Sequence, residues 1–96
     1  MPAYVIGQIA VKDPDKWSAY RVQVPATLEP WNGRLLFRGR TARVLSGEYR
    51  FTDMVVLQFP DQDAARGWHD SPAYQALIPL RTRAAEVVLV SYEPGL

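Results

Sequence analysis

His69 is the only side chain in this chain with an unperturbed pKa near neutrality, which makes it the first candidate for a general acid or base. A catalytic role needs a second polar group opposite the imidazole, and Arg38 or Tyr74 can serve. The alternative is structural, because a histidine at a helix end interacts with the last carbonyl groups or with the neighbouring Asp70. The spacing of these residues does not show whether they converge, and both interpretations stay open.

Arginines are concentrated in one short segment, and a guanidinium can bind a carboxylate or phosphate bidentately. They are Arg34, Arg38, Arg40, Arg43 and Arg50. The alternative is an edge strand that charge protects from pairing with other chains, and we favour it for Arg34, Arg43 and Arg50. Arg38 lies between Phe37 and Gly39 and is the arginine that we assign to a candidate site.

Aromatic side chains recur at helical spacing in two places, with Trp17 and Tyr20 in one and Trp68 and Tyr74 in the other. They can line an apolar cavity between helices and sheet, or they can simply form the core. Gln8 lies in an otherwise apolar strand, as does Gln58, and a buried amide needs partners. These glutamines can orient a ligand, bond each other, or contact a second copy of the protein.

Several other functions are disfavoured by composition. There is no cysteine, and the lone histidine has no carboxylates at ligand-like spacing, so we expect no metal site. Ser71 precedes a proline and is better explained as a helix cap than as a nucleophile. The formal charge of +1 is too balanced for nucleic-acid binding through phosphates. No apolar run reaches the roughly 20 residues of a membrane helix, and we expect a cytoplasmic protein.

Helix signals occur twice. Asp13 and Pro14 predict a helix start that is followed by Trp17 and Tyr20, with a break at Pro25. Asp61 predicts the start of another helix, and Ser71 with Pro72 restarts it. The two pieces should therefore meet at an angle near 69–71, and the second should carry Tyr74, Leu77 and Ile78.

The intervening segments resemble strands, over Tyr4–Val11, Arg34–Leu45, Asp53–Phe59 and Glu86–Tyr92. Within the second strand, Gly39 is a candidate bulge or bend. Simple alternation places Arg34, Arg38 and Arg40 on one face, with Leu35 and Phe37 on the other.

The order strand, helix, strand, strand, helix, strand predicts one α+β domain over residues 1–96. Its ferredoxin-like βαββαβ topology is a four-stranded antiparallel sheet with two helices on one face. In the strands at 55–57 and 87–90, successive residues are all apolar, including those that point to opposite faces of the sheet. Both faces of the sheet should therefore be covered. Because two helices cover one face, we predict a homodimer joined through the open face of the sheet.

Four stretches carry a family resemblance: residues 4–9, 13–20, 33–39 and 68–77, the last of which contains Ser-Pro-Ala-Tyr-Gln. With them the chain resembles the DUF1330 family, a domain of unknown function. The resemblance implies a dimeric α+β barrel, the fold of small monooxygenases and muconolactone isomerases. Related haem-degrading enzymes use an asparagine in the first strand, where this chain has Gln8. Because of this difference, we expect no haem and no other cofactor.

Together these features predict a protein that binds a small, partly apolar or anionic molecule in a cleft between helices and sheet. The predicted ligand-binding residues are Gln8, Tyr20, Arg38, Trp68 and Tyr74. One alternative is a cofactor-independent monooxygenase or isomerase, in which His69 moves a proton and Arg38 stabilises the oxyanion. A second alternative is a structural dimeric module without a ligand.

Overall fold

The computed structural model describes residues 1–95, which form one four-stranded antiparallel sheet with helices on one of its faces. The strands are β1 (Ala3–Val11), β2 (Arg34–Arg40), β3 (Asp53–Phe59) and β4 (Ala85–Tyr92). They lie in the order β2-β3-β1-β4. This is the ferredoxin-like α+β topology that the sequence predicts.

Helical segments form two of the connections between strands, from β1 to β2 and from β3 to β4. The first connection holds α1 (Pro14–Arg21), α2 (Val24–Leu28) and a 3-10 turn (Glu29–Trp31), and the second holds α3 (Gln62–Asp70), α4 (Pro72–Gln75) and α5 (Ile78–Ala84). The molecule measures 36 × 32 × 16 Å, and the smallest dimension matches one sheet with one helical layer. The second face of the sheet is therefore open.

The predicted caps are confirmed. The Asp13 carboxylate accepts from the backbone N–H groups of Asp15 and Lys16, and Asp61 accepts from Ala64. The Ser71 hydroxyl accepts from the Tyr74 N–H at 3.2 Å and itself donates to the Trp68 carbonyl at 2.7 Å. Ser71 has an extended backbone, so α3 and α4 meet at an angle there, as predicted. These contacts satisfy amides that a helix start otherwise leaves unpaired.

The second half of the chain has one helix more than predicted. Tyr74 lies in α4, whereas Ile78 begins α5, and Leu77 is the cap residue between them. Pro79 lies in the first turn of α5. It has no N–H to continue the α4 hydrogen-bond pattern, so the helix restarts there.

The second strand was predicted too long. It ends at Arg40 instead of Leu45, because its partner β3 begins at Asp53, which pairs with Arg40. Residues 41–52 form a loop. The Arg50 guanidinium in this loop donates two hydrogen bonds, of 2.8 and 3.0 Å, to the Glu86 carboxylate of β4.

The predicted alternation along β2 was also wrong. The ladder shifts by one residue between Leu35 and Phe37, so the irregularity lies there and not at Gly39. Because of the extra residue, Leu35 shares the helix-facing side with Arg38, while Arg34 and Phe37 lie on the open face. The three arginines at 34, 38 and 40 therefore do not share one face.

Alternate residues of β1 divide the molecule into a core side and an open side. Ala3, Val5 and Ile9 are buried under the helices. Ala3 and Val5 belong to one core cluster with Phe59 of β3 and Trp68 of α3. The residues between them, Tyr4, Ile6 and Gln8, are half-buried on the other face. The core thus lies wholly between sheet and helices.

Candidate functional site

Trp68 forms the centre of the helical layer and is 2% exposed. Its ring centroid lies 4.3 Å from that of Tyr74 and 5.4 Å from that of Phe59. The indole N–H donates to the Thr27 hydroxyl at 3.0 Å, and Thr27 donates to the Val24 carbonyl at 2.6 Å. The polar atom of a buried indole is thus satisfied by α2, which fixes the ring against the sheet.

A second buried polar cluster joins α1 to the helices of the second half. The hydroxyls of Tyr20 and Tyr74 lie 2.7 Å apart, and an Arg81 N–H donates to the Tyr74 oxygen at 2.9 Å. Burial raises the pKa of Tyr20 above its usual value, and the nearby Tyr74 raises it further. Tyr20 is therefore a neutral hydrogen-bonding group at physiological pH.

A small cavity of about 90 Å³ lies between α1, α2 and the sheet. Its walls are mainly apolar, and Trp17, Tyr20 and Trp68 line it together with Leu35 and Leu57. Charged side chains also line it: Arg21 from α1, Arg38 from β2 and Asp53 from β3. An apolar space with a few charged groups is the usual composition of a small-molecule site.

Arg38 is the charged residue of this cavity whose pKa is shifted, although the residue is exposed to solvent. Burial lowers its pKa below the usual value for arginine, and the positive charge of Arg21 lowers it further. Within residues 1–95, neither arginine forms an ion pair with a carboxylate. A guanidinium that is partly removed from water and lies near a like charge is stabilised by an anion.

An open groove of about 710 Å³ lies beside the cavity and shares Trp17, Arg21 and Asp53 with it. Arg40 and Arg50 also line the groove, as does Tyr49 of the loop. The charge of Arg50 is balanced by Glu86. The groove and the cavity are therefore neighbouring spaces that share two charged residues, Arg21 and Asp53.

His69 lies elsewhere. It lines an open cleft of about 400 Å³ on the other side of Trp68, together with Gln62, Arg66 and Ser91. Its Nδ1 atom lies 3.5 Å from the Asp70 carboxylate, and its side chain is 42% exposed. Trp68 lines both spaces, whereas His69 and Arg38 line one each.

The two glutamines lie on the open face of the sheet and do not bond each other. Gln8 pairs in register with Met54 and Val88, on the side opposite to the buried residues of β1. The side-chain oxygen Oε1 of Gln58 accepts two hydrogen bonds from Arg34, at 2.8 and 3.1 Å. Gln8, which we predicted to bind the ligand, therefore faces away from the cavity between helices and sheet.

Some residues of the cavity were not identified from the sequence. Arg21 follows Trp17 by four positions, so helical periodicity alone places both on one face, and this signal could have found it. Asp53 of the cavity gave no local signal, and neither did Thr27 and Arg81, which bind Trp68 and Tyr74 from other elements. In residues 1–95, no cluster of three or more histidines and carboxylates has the geometry of a metal site. None of the helices in that range combines the length and apolar character needed to cross a bilayer.

Comparison with known proteins identifies the family. Residues 2–93 match the profile described as a domain of unknown function, DUF1330. The chain belongs to the DUF1330 family. No curated protein matches this DUF1330 chain in sequence.

Solved structures share its fold at low sequence identity. A protein of unknown function from Rhodopseudomonas palustris has a TM-score of 0.82 and 16% identity, covering 99% of this chain and 83% of its own. A dimeric ferredoxin-like protein of unknown function from Jannaschia has a TM-score of 0.76 and 11% identity, covering 98% and 100%. SnoaB, a cofactor-independent oxygenase from Streptomyces nogalater, has a TM-score of 0.68 and 11% identity, covering 99% and 94%. These similarities establish the fold of the DUF1330 chain, and its activity is a separate question.

Proposed function

We propose that this protein binds a small molecule with an apolar end and an anionic head in the cavity between α1, α2 and the sheet. The apolar end occupies the space next to Trp17, Tyr20 and Trp68, and the head contacts Arg38 and Arg21. One observation carries the proposal: Arg38 lines an apolar cavity without a carboxylate partner among residues 1–95. A ligand anion supplies the missing countercharge.

Paired ligands of equal shape test this proposal by isothermal titration calorimetry. Isovalerate carries a short branched hydrocarbon and a carboxylate, and isovaleramide is its neutral counterpart. We expect the acid to bind at least about tenfold more tightly, because a charge-assisted hydrogen bond is roughly twice as strong as a neutral one. Equal affinities for the acid and the amide would show that no anion is recognised.

Two variants test whether Arg38 is the residue that recognises the acid. Arg38→Gln should remove the preference for the acid. Arg43→Gln removes a charge from the exposed loop and should preserve it, since Arg43 does not line the cavity. If both variants bind the acid like the wild type, Arg38 is not the anion site.

We also propose that two copies associate through the open face of the sheet. Apolar side chains cluster on this face, among them Phe37 at 57% exposure and Tyr92 at 45%. Val88 and Val90 of β4 lie beside Ile6 of β1 on the same side. Contiguous apolar surface of this kind marks an interface, and an identical sheet offers a matching surface. The fold neighbour from Jannaschia is described as dimeric.

A second candidate function is an enzyme in which His69 transfers a proton. The observation that favours it is the position of the Asp70 carboxylate, 3.5 Å from Nδ1, while the imidazole lines an open cleft. The fold neighbour SnoaB is described as a cofactor-independent oxygenase. Arg38 lines a different space, and the polar side chains of the His69 cleft include Arg66, which pairs with Asp63, and Gln62, which donates to the Tyr92 carbonyl.

Turnover assays with His69→Gln test the enzymatic function. Once a substrate is found by screening oxidisable aromatic compounds, the variant should lose turnover and keep the thermal stability of the wild type. A variant that loses stability and retains turnover identifies His69 as a structural residue at the end of α3.

A further inference from the structure

The cavity is too small for most ligands on its own. Its volume of about 90 Å³ is below that of an apolar cavity known to hold benzene, about 150 Å³. Clefts that hold larger ligands span roughly 300–1,000 Å³. A short branched hydrocarbon fits inside, and the rest of any larger ligand has to extend outward.

The groove is the space into which such a ligand extends. It shares Trp17, Arg21 and Asp53 with the cavity and adds about 710 Å³. To reach the groove, a molecule that fills the cavity has to extend past the shared residues Arg21 and Asp53. Its outer part then lies against Arg40, which faces the helices from β2.

The charges at this edge are unequal. Arg21, Arg38 and Arg40 line the two spaces, against a single carboxylate, Asp53, among the lining residues within 1–95. Arg50 is already paired with Glu86 at 2.8 Å. Arg38 and Arg40 are alternate residues on one side of a strand, so their Cα atoms lie about 7 Å apart. Arg38 in the cavity, Arg40 in the groove and Arg21 shared by both suit an extended polyanion better than a single carboxylate.

From this arrangement we infer that the natural ligand is an organic diphosphate, with a short hydrocarbon group in the cavity and the diphosphate along the groove. Arg21 and Arg38 bind the phosphate next to the hydrocarbon, and Arg40 binds the outer one. Ser18 of α1 adds a hydroxyl to the groove. The inference rests on the proposed function, whose cavity holds the hydrocarbon end, and it adds the chemical class of the head.

Isopentenyl diphosphate, isopentenyl monophosphate and isovalerate are the probes, and their affinities are measured by calorimetry on the full chain. We expect the diphosphate to bind at least about tenfold more tightly than the monophosphate, because it gains a charge-assisted contact with Arg40. Inorganic pyrophosphate lacks the hydrocarbon and should bind more weakly than isopentenyl diphosphate.

Arg40→Gln should lower the diphosphate affinity about tenfold and leave isovalerate binding unchanged, since isovalerate does not reach the groove. Arg43→Gln is the matched control and should change neither the diphosphate affinity nor the isovalerate affinity. If the diphosphate binds no more tightly than the monophosphate, or if Arg40→Gln has no effect on it, the groove does not bind phosphate and the inference is overturned. Isovalerate binding that depends on Arg38 would then still support the proposed function. Absence of binding by all the probes overturns both.

Discussion

The phenolic oxygens of Tyr20 and Tyr74 lie 2.7 Å apart, although the two residues are separated by 54 positions in the sequence. Tyr20 belongs to α1 and Tyr74 to α4, so this hydrogen bond joins the helices of the two halves of the chain. Arg81 adds α5 to the same cluster. The cluster therefore fixes the helical wall behind the cavity.

Removal of the Tyr74 hydroxyl should destabilise the protein. In Tyr74→Phe, the buried Tyr20 hydroxyl and the Arg81 N–H both lose their partner, and an unsatisfied buried polar group costs about 1–3 kcal/mol. Urea denaturation measures this loss. Tyr49→Phe is the control, because Tyr49 is 42% exposed in the loop and should change stability little. Equal stability of the two variants would contradict the role of the cluster.

Stability should fall at alkaline pH because of Tyr20. Its folded pKa is raised by burial, so the unfolded chain releases this proton near pH 10 while the folded chain retains it. The contribution of Tyr20 to the free energy of unfolding is complete below about pH 10. It falls above that pH, with a slope of up to about 1.4 kcal/mol per pH unit. Urea titrations from about pH 9 to about pH 11 should show a smaller slope for Tyr20→Phe. Identical slopes would mean that Tyr20 ionises equally in both states.

Thr27→Val should be strongly destabilising, whereas Thr27→Ser should be tolerated. Valine has a similar shape but leaves the Trp68 N–H without an acceptor in a buried position, at a cost of about 1–3 kcal/mol. Serine retains the hydroxyl. The two variants are compared by thermal unfolding, and a valine variant as stable as the serine variant would show that the hydrogen bond contributes nothing.

Val90→Lys should dissociate the proposed dimer. Val90 lies on the open face of the sheet, and a lysine there places charge inside an apolar interface. Sedimentation velocity should find the wild type as a dimer and the variant as a monomer at micromolar concentration. Val22→Lys changes an exposed valine at the end of α1 and should stay dimeric. A monomeric wild type would exclude the interface.

Gly67→Ala should lower stability despite the higher helix propensity of alanine. Gly67 lies within α3, and a methyl group there overlaps with the ring of Trp31. The indole has to move, and overpacking of this kind costs typically about 1–3 kcal/mol. The thermal midpoint measures the effect, and a rise in that midpoint would show that Trp31 relocates freely.

The local signals in the sequence were sufficient to predict the fold. Asp13, Asp61 and Ser71 cap helices because each capping interaction spans two or three residues, and strand β3 was predicted with its observed bounds. The apolar strands predicted the open face that the structure presents.

The site was less predictable because its contacts are long-range. Tyr20, Arg38 and Trp68 do line the cavity, but the neighbouring Arg21 was missed and Gln8 faces the opposite side. Tyr74 is fully buried beside the cavity. His69 and Arg38 line different spaces, and no spacing within the sequence encodes that separation. Pairing register and helix orientation decide these positions.

The shift between Leu35 and Phe37 affects how residue roles can be transferred between relatives. At 16% identity, an alignment of this chain with the Rhodopseudomonas protein is free to slide by one position along β2. A slide across the shift exchanges the open face for the cavity face, and a residue of the open face then takes the place of Arg38. Equivalent residues in this family are therefore best assigned from their partners on β3, with Val55 as the reference for Arg38.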